Sequence, residues 1–344
     1  MSLRAALTRQ ADACDALGSE FTARLLRLTA ARLQRGTPVA DRMLDWPGDV
    51  SGAGASVPLR FAGALHGLIL MDHAPELAPL WPPHAVTDDT LWAGVEAAMR
   101  AHQGELMAWL DNAPQTNEVR RSAALIAVGH ILSARYGLPI RLSELGASAG
   151  LNLFWDHYAL AAGGQTLGPE APALTLTPDW SGPLPLPCDP FISDRRGVDL
   201  HPLSPSDPAD RNRLRAYTWP DQPDRMARLD AALSVATPVV DQGDAAAWLV
   251  NRMADMLEGQ LDFVYHTVAW QYFPPGTRAA CTAALEARGE KATMRSPLAW
   301  LSVEADTGGA QQGAAMVLRL WPGDRTPIRL GRMDFHGRWI DWRC

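Results

Sequence analysis

Apolar residues recur at helical spacing through the first 137 residues of the chain. In "GSEFTARLLRLTAARLQRG" (18–36), Phe21, Leu25, Leu28 and Leu33 share a face, Ser19 and Glu20 open the helix and Gly36 stops it. A longer pattern from Thr87 to Trp109 carries Leu91, Val95, Ala98 and Leu106. "TNEVRRSAALIAVGHILSARYG" (116–137) begins at a cap, Thr116 or Asn117, and ends at Gly137. Five to seven helices are predicted here, with no β alternation.

The pattern changes at Gly137-Leu138-Pro139. "PIRLSELG" reads as a strand, and a helix is predicted to open after it at Leu151-Asn152. A stretch rich in Gly, Pro and Thr at about 160–190, containing the alternating "ALTLT", predicts a β-hairpin insertion. "ISDRRGVDLHPL" supplies a second core strand, and two helices follow in "DPADRNRLRAYTW" and "QPDRMARLDAALSVA". Strand then helix recurs twice, in "TPVVDQGDAAAWLVNRMADML" and "LDFVYHTVAWQYFPPGTRAACTAALEARG". The three closing runs, "SPLAWLSVEAD", "GAAMVLRLWPG" and "PIRLGRMDFHGRWIDW", are β-rich. This rhythm predicts an α/β fold, a doubly wound, mostly parallel, Rossmann-like sheet with antiparallel terminal strands. An N-terminal helical cap (1–115) would precede a sheet domain (116–344), with ligands beyond the strand C-termini.

The net charge of −7 disfavours a nucleic-acid partner and leaves a small molecule as the expected one. No apolar run reaches membrane-spanning length: "FAGALHGLILM" (61–71) is too short and holds His66. The N-terminus has its charges spread through it, unlike a signal peptide. Cys14, Cys188, Cys281 and Cys344 are scattered, so neither a disulfide framework nor a zinc site is expected, and a reducing cytoplasm is the expected home. His66, Asp72 and His73 lack a third ligand at suitable spacing, so no metal is expected.

The chemistry concentrates in Gly146-Ala147-Ser148-Ala149-Gly150. As a nucleophile elbow it would make Ser148 the nucleophile of a serine hydrolase, with Asp241 or Asp244 and then His266 or His336 completing a triad. As a small-residue loop it would lead from the first strand into a helix and hold a nucleotide-like cofactor. Chain order favours the loop, because the elbow needs earlier strands and only helices precede this one. Glu144, two residues before the first glycine, suits an amino-bearing or cationic ligand. Gly243-Asp244 after the third core strand adds a second acid at a helix start, able to accept from an exocyclic amine or simply to cap the helix.

At these residues the chain resembles class I S-adenosylmethionine-dependent methyltransferases. "ELGASAG" looks like their first motif, "GDA" like the adenine-contacting motif, and the closing strands like their fifth strand and final antiparallel pair. More narrowly, "TNEVRRSAAL", "ELGASAGLNL", "RRGVDLHPL", "WPDQPDRMARLDAAL" and "HTVAWQYFP" resemble a bacterial family of unknown function with methyltransferase-like character. Two departures stand out. Ser148 replaces the middle motif glycine, and the ribose-binding acid, usually about 20 residues on, is best matched by Asp199, forty-nine residues after Gly150. The resemblance implies S-adenosylmethionine held by Glu144, Gly146, Ala147, Ser148, Gly150, Asn152, Asp199, Gly243 and Asp244. His266 is the first choice of base, with Gln271 and Tyr272 beside it; a buried structural histidine is the competing reading. Asn117, Arg120, Trp219, Gln222 and Trp270 are candidates for contacting a small acceptor. For Asn117 and for the "TWPDQPDR" turn, helix capping is the competing reading. A non-catalytic adenosyl-binding or sensory protein is the second functional expectation, and the hydrolase the third.

Overall fold

The computed structural model describes residues 1–306, 313–324 and 326–344. The chain divides into two compact units: Met1–Thr116 with Asp207–Ala227, and Asn117–Ser206 with Arg228–Cys344. The sequence pattern assigned 207–227 to the sheet domain; in the structure it clusters with the N-terminal helices.

The helical unit contains α1 (Leu3–Ala16), α2 (Glu20–Arg32), α3 (Pro38–Leu44), α4 (Val57–Leu70), α5 (Asp88–Ala101) and α6 (Gln103–Leu110). Ser2, Ser19, Thr37 and Thr87 cap α1, α2, α3 and α5, each hydroxyl accepting an N–H three residues on. Helix α4 is apolar nearly all round and correspondingly buried. Its Gly63 and Gly67 leave room for two rings: a Cβ there would lie 2.4 Å from Tyr217 Cε1 and 2.4 Å from Trp109 Cζ2. His66, between those glycines, is buried, and its Nδ1 bonds the Ala216 carbonyl at 3.2 Å.

Burial pushes the His66 imidazole down to about 4. The unfolded chain takes up a proton below about 6.5 and the folded unit does not. Stability is therefore full above pH 6.5 and drains as pH falls toward 4, by roughly 3 kcal/mol in all at about 1.4 kcal/mol per pH unit. Thermal melts from pH 7 to 4 should show this loss, and His66→Asn should flatten it. Equal slopes for both proteins would refute it.

In the second unit, α7 (Ser122–Tyr136) precedes β1 (Ile140–Leu145). A small sheet follows, β2 (Tyr158–Ala162), β3 (Gln165–Leu167) and β4 (Leu174–Leu176), and then β5 (Asp179–Ser181) and β6 (Ile192–Asp199). Helix α8 (Pro208–Ala216) belongs to the helical unit, and the chain returns along α9 (Pro223–Val235). Then come β7 (Val240–Gln242), α10 (Ala245–Arg252), β8 (Leu261–Thr267) and α11 (Pro275–Glu290). The closing strands are β9 (Leu298–Glu304), β10 (Ala314–Trp321), β11 (Ile328–Met333) and β12 (Trp339–Trp342).

Among the described residues, nine strands form the main sheet in the order β5-β12-β11-β10-β9-β8-β1-β6-β7. Strands β7, β6, β1, β8 and β9 are parallel, and β9 to β12 continue as an antiparallel meander. The mostly parallel, doubly wound sheet with antiparallel terminal strands is therefore present. Every residue of β1 and β8 is buried, as central parallel strands require. From β1 the chain steps to β6 and β7, then returns to β8 on the other side. The crevice beyond the ends of β1 and β8 is thus the topological switch point.

Two local expectations are corrected. No α-helix opens at Leu151-Asn152: Leu151–His157 is a 3-10 segment broken at Phe154 (φ −106°, ψ 22°). Leu151 to Trp155 are all buried, so the segment has no solvent face to give an amphipathic helix. The insertion is also more than a hairpin. The hairpin is β2–β3, turned by Gly163 and Gly164 at positive φ, whereas β4, holding "LTL", pairs parallel to β2, and β5 joins the main sheet beside β12.

Near the strand N-termini, Asp262 bridges two arginines. Its Oδ1 accepts from Arg141 Nε at 2.6 Å and its Oδ2 from Arg288 Nη2 at 2.9 Å, all three residues being buried. Two further helical glycines of this unit seat rings: a Cβ on Gly129 of α7 would lie 2.3 Å from Trp155 Cη2, and one on Gly289 of α11 2.6 Å from Trp321 Cδ1.

Candidate functional site at the strand tips

The tips of β1, β6, β7 and β8 gather most of the singled-out residues. Glu144, 2% exposed, is the penultimate residue of β1, and its Oε2 has no hydrogen-bond partner. Burial raises its carboxyl well above the ordinary range, and Asp199 pushes the same way; Arg121 and the Asn152 side chain oppose them. Desolvation is the largest of these influences, and it disfavours the charged form. Asn152 accepts from Ser122 Oγ at 2.8 Å, and its carbonyl accepts from Tyr265 Oη at 3.0 Å.

Most N–H groups of the loop after β1 are engaged by protein acceptors. The N–H groups of Gly146 and Ala147 donate to the Val198 carbonyl, that of Ser148 to Asp199 Oδ2 at 2.9 Å, and that of Gly150 to the Ala147 carbonyl. Leu151 N–H donates to Asn117 Oδ1 at 2.9 Å, so Asn117 caps the 3-10 segment from a distance in sequence. The glycines answer to protein neighbours: a Cβ on Gly146 would lie 2.6 Å from Ala269 Cβ, and one on Gly150 2.8 Å from Val240 Cγ2.

Backbone strain flanks the switch crevice. Ser148 (φ 53°) and Val268 (φ 54°) occupy the left-handed region beyond two adjacent parallel strands. For a β-branched residue this is an outlier, and such strain collects where a site's shape is fixed. Ser148, in the place of the motif glycine, adopts the backbone that glycine favours. Its buried Oγ has no partner, so no histidine is set against it as a base.

Asp199 at the end of β6 also accepts from His201 N–H, and its own carbonyl accepts from Gly243 N–H at 3.0 Å, tying β6 to the turn after β7. A Cβ added to Gly243 would meet only Val198, at 4.0 Å, so space is open there. Asp244 caps α10 through Ala246 and Ala247, and also accepts from Thr277 Oγ1 at 3.2 Å.

His266 lies apart from the Glu144 cluster. Glu144 is registered with Tyr265, and side chains alternate along a strand, so Glu144 and His266 face opposite sides of the sheet. Trp300 Nε1 donates to His266 Nε2 at 3.1 Å, which leaves Nδ1 as donor to Glu304 Oε1 at 2.8 Å. The Trp270 ring stacks on the imidazole at 4.4 Å. Both nitrogens are thus engaged, and no lone pair faces a substrate. Glu304 also takes the N–H groups of Ala269 and Trp270, so the pair scaffolds the turn at Val268. Gln271 and Tyr272 are exposed.

Arg120 packs against Gly337, and its N–H donates to Glu118 Oε1. Trp219 and Gln222 belong to the helical unit. There Gln222 donates to the Leu17 and Gly18 carbonyls, Arg225 lies over the Trp219 ring, and Asp221 accepts from Ser19 Oγ and Phe21 N–H. His73 pairs with Glu105 in the same unit.

Arg121, not its neighbour Arg120, makes the long-range hydrogen bonds. Arg121 donates to the carbonyls of Phe335 at 2.9 Å and Thr267 at 3.0 Å, joining the start of α7 to the end of β8. The doublet in "NEVRRSA" was the available signal. Among the described residues no helix is long and apolar enough to cross a membrane. A family described as "Uncharacterized protein conserved in bacteria (DUF2332)" matches residues 4–342. No curated protein and no solved structure matches the chain.

Proposed function

The chain belongs to this bacterial family, and from that premise we propose that it binds S-adenosylmethionine at the tips of β1, β6 and β7, as a methyltransferase-like protein acting on a small molecule. The observation that carries the reading is the donor–acceptor balance of the strand tips. Carboxyl groups stand at three adjacent tips (Glu144, Asp199, Asp244), while the loop N–H groups at 146–148, 150 and 151 are all engaged. A phosphate needs free backbone donors and finds these taken. A ligand offering ammonium, ribose hydroxyls and an exocyclic amine is what such acceptors suit.

The residues fit that group in these respects. Glu144 offers an unpartnered buried oxygen, Asp199 would accept from ribose hydroxyls beside the Ser148 and His201 N–H groups it already takes, and Asp244 lies beside the open space over Gly243. S-adenosylmethionine supplies a sulfonium methyl, displaced in line with neutral sulfur leaving, so alignment and exclusion of water do most of the work. The protein's contribution is to bind and orient, with Val268 and Ser148 fixing the crevice through backbone conformation. With both nitrogens of His266 engaged, no base is assigned; that engagement favours, as a second reading, a protein that binds the cofactor without transferring its methyl group.

S-adenosylhomocysteine at about one hundred times its dissociation constant should add about 2.7 kcal/mol. That should raise the melting temperature by roughly 5–10 °C, while ATP and NAD do not. Absence of any shift with either S-adenosyl compound, or a fluorophosphonate adduct on Ser148, would overturn the reading. A clear shift with no methyl acceptor among candidate metabolites would select the non-catalytic form.

A further inference from the structure

Asp244 serves two helices at once. As the cap of α10, its Oδ1 accepts from Ala246 N–H at 2.9 Å and from Ala247 N–H at 3.2 Å. Its Oδ2 accepts from Thr277 Oγ1 of α11 at 3.2 Å. A carboxylate has about four acceptor sites, two on each oxygen. Three are taken, so one remains, and it lies on Oδ2. Asp244 is exposed, and a Cβ built on its neighbour Gly243 meets only Val198, at 4.0 Å, so the residue borders open space.

Thr277 differs from other helical threonines of the chain in where its hydroxyl goes. Thr8, Thr29 and Thr282 each donate to the carbonyl four residues back in their own helix. Thr277 stands in the first turn of α11, whose own start carries no side-chain cap, and donates instead to the cap of another helix. The last torsion of an aspartate is broad when left free. Here Ala246 and Ala247 hold one oxygen and Thr277 holds the other, so the carboxylate plane is fixed.

We propose that Thr277 is a positioning residue for the base of the ligand. It orients Asp244 so that the one free acceptor site on Oδ2 meets an exocyclic amine, and the site thereby selects a 6-amino purine over a 6-oxo purine. This inference rests on the cofactor reading above. An amine brings a hydrogen to that site. A 6-oxo group brings a carbonyl oxygen, acceptor against acceptor, and leaves both unpaired. Without the threonine hydroxyl the carboxylate can turn away from that carbonyl, and the discrimination shrinks.

Isothermal titration of S-adenosylhomocysteine and S-inosylhomocysteine into the full chain, Thr277→Val and Thr277→Ser tests this. The wild type should bind the adenosyl compound about tenfold more tightly than the inosyl one. Thr277→Val keeps the shape and removes the hydroxyl. It should weaken the adenosyl compound about fivefold, leave the inosyl compound unchanged and so reduce the preference to about twofold. Thr277→Ser restores the donor and should keep the wild-type preference. A merely structural role would weaken both ligands together and leave their ratio as it was. An unchanged ratio in Thr277→Val, a Thr277→Ser variant that behaves like Thr277→Val, or equal wild-type binding of the two ligands would overturn the proposal and leave the cofactor reading standing. A wild type that binds neither ligand would overturn both.

Discussion

Asp262→Ala is expected to destabilise the sheet unit by about 3–5 kcal/mol, because it leaves two buried guanidinium groups without their shared counter-charge. Arg141 would keep carbonyl contacts to Arg252 and Asp255, and Arg288 would keep the Ser296 hydroxyl and carbonyl. Carbonyl dipoles do not replace a carboxylate at 2.6–2.9 Å. At about 2–4 °C per kcal/mol for a unit of this size, the melting temperature should fall by roughly 10 °C. Asp262→Asn keeps the shape and loses the charge, and should fall between the wild type and the alanine variant. Urea melts of the three proteins provide the check, and a loss below about 1 kcal/mol for the alanine variant would contradict the account.

Glu144→Gln is expected to stabilise the protein at pH 8 and to leave it unchanged near pH 4. Burial raises the folded carboxyl above its unfolded value. Below about pH 4.5 both states hold the proton and stability is full. As pH rises the unfolded chain ionises while the folded one stays neutral, and stability drains until the folded acid titrates. Each tenfold difference in proton affinity between the states is worth about 1.4 kcal/mol. Glutamine has no proton to lose, so the two stability curves should diverge with rising pH. Parallel curves would show that Arg121 holds Glu144 ionised. Under the cofactor reading, Glu144→Gln keeps a neutral hydrogen-bonding group and should retain S-adenosylhomocysteine binding, whereas Glu144→Leu should lose it.

What could be read from the sequence was local. Ser19 and Thr87 start helices because a hydroxyl reaches an N–H three residues on. The break at Gly137-Leu138-Pro139 marks where helical spacing gives way to β1. Glu144, Asp199 and Asp244 are legible near strand tips because each lies at or just after the end of a run that reads as a strand. What escaped depended on partners distant in the chain. Ala269 and Val240 occupy the space that Gly146 and Gly150 leave, so those glycines do not by themselves imply a ligand. Trp300 and Glu304 engage His266 from another strand. The amphipathic pattern of α8 says that it buries a face without saying in which unit. Thr277 likewise carries no local signal, because its partner Asp244 lies at the start of another helix.

Four aromatic rings rest where helices α4, α7 and α11 present a glycine. The consequence concerns engineering. Exchanging a helical glycine for alanine ordinarily gains about 1 kcal/mol and is a first resort for thermostabilisation. At Gly63, Gly67, Gly129 and Gly289 that exchange would drive a methyl group into a ring. Glycine-to-alanine exchange guided by helix propensity alone would therefore damage this chain at the helix positions that look easiest to improve.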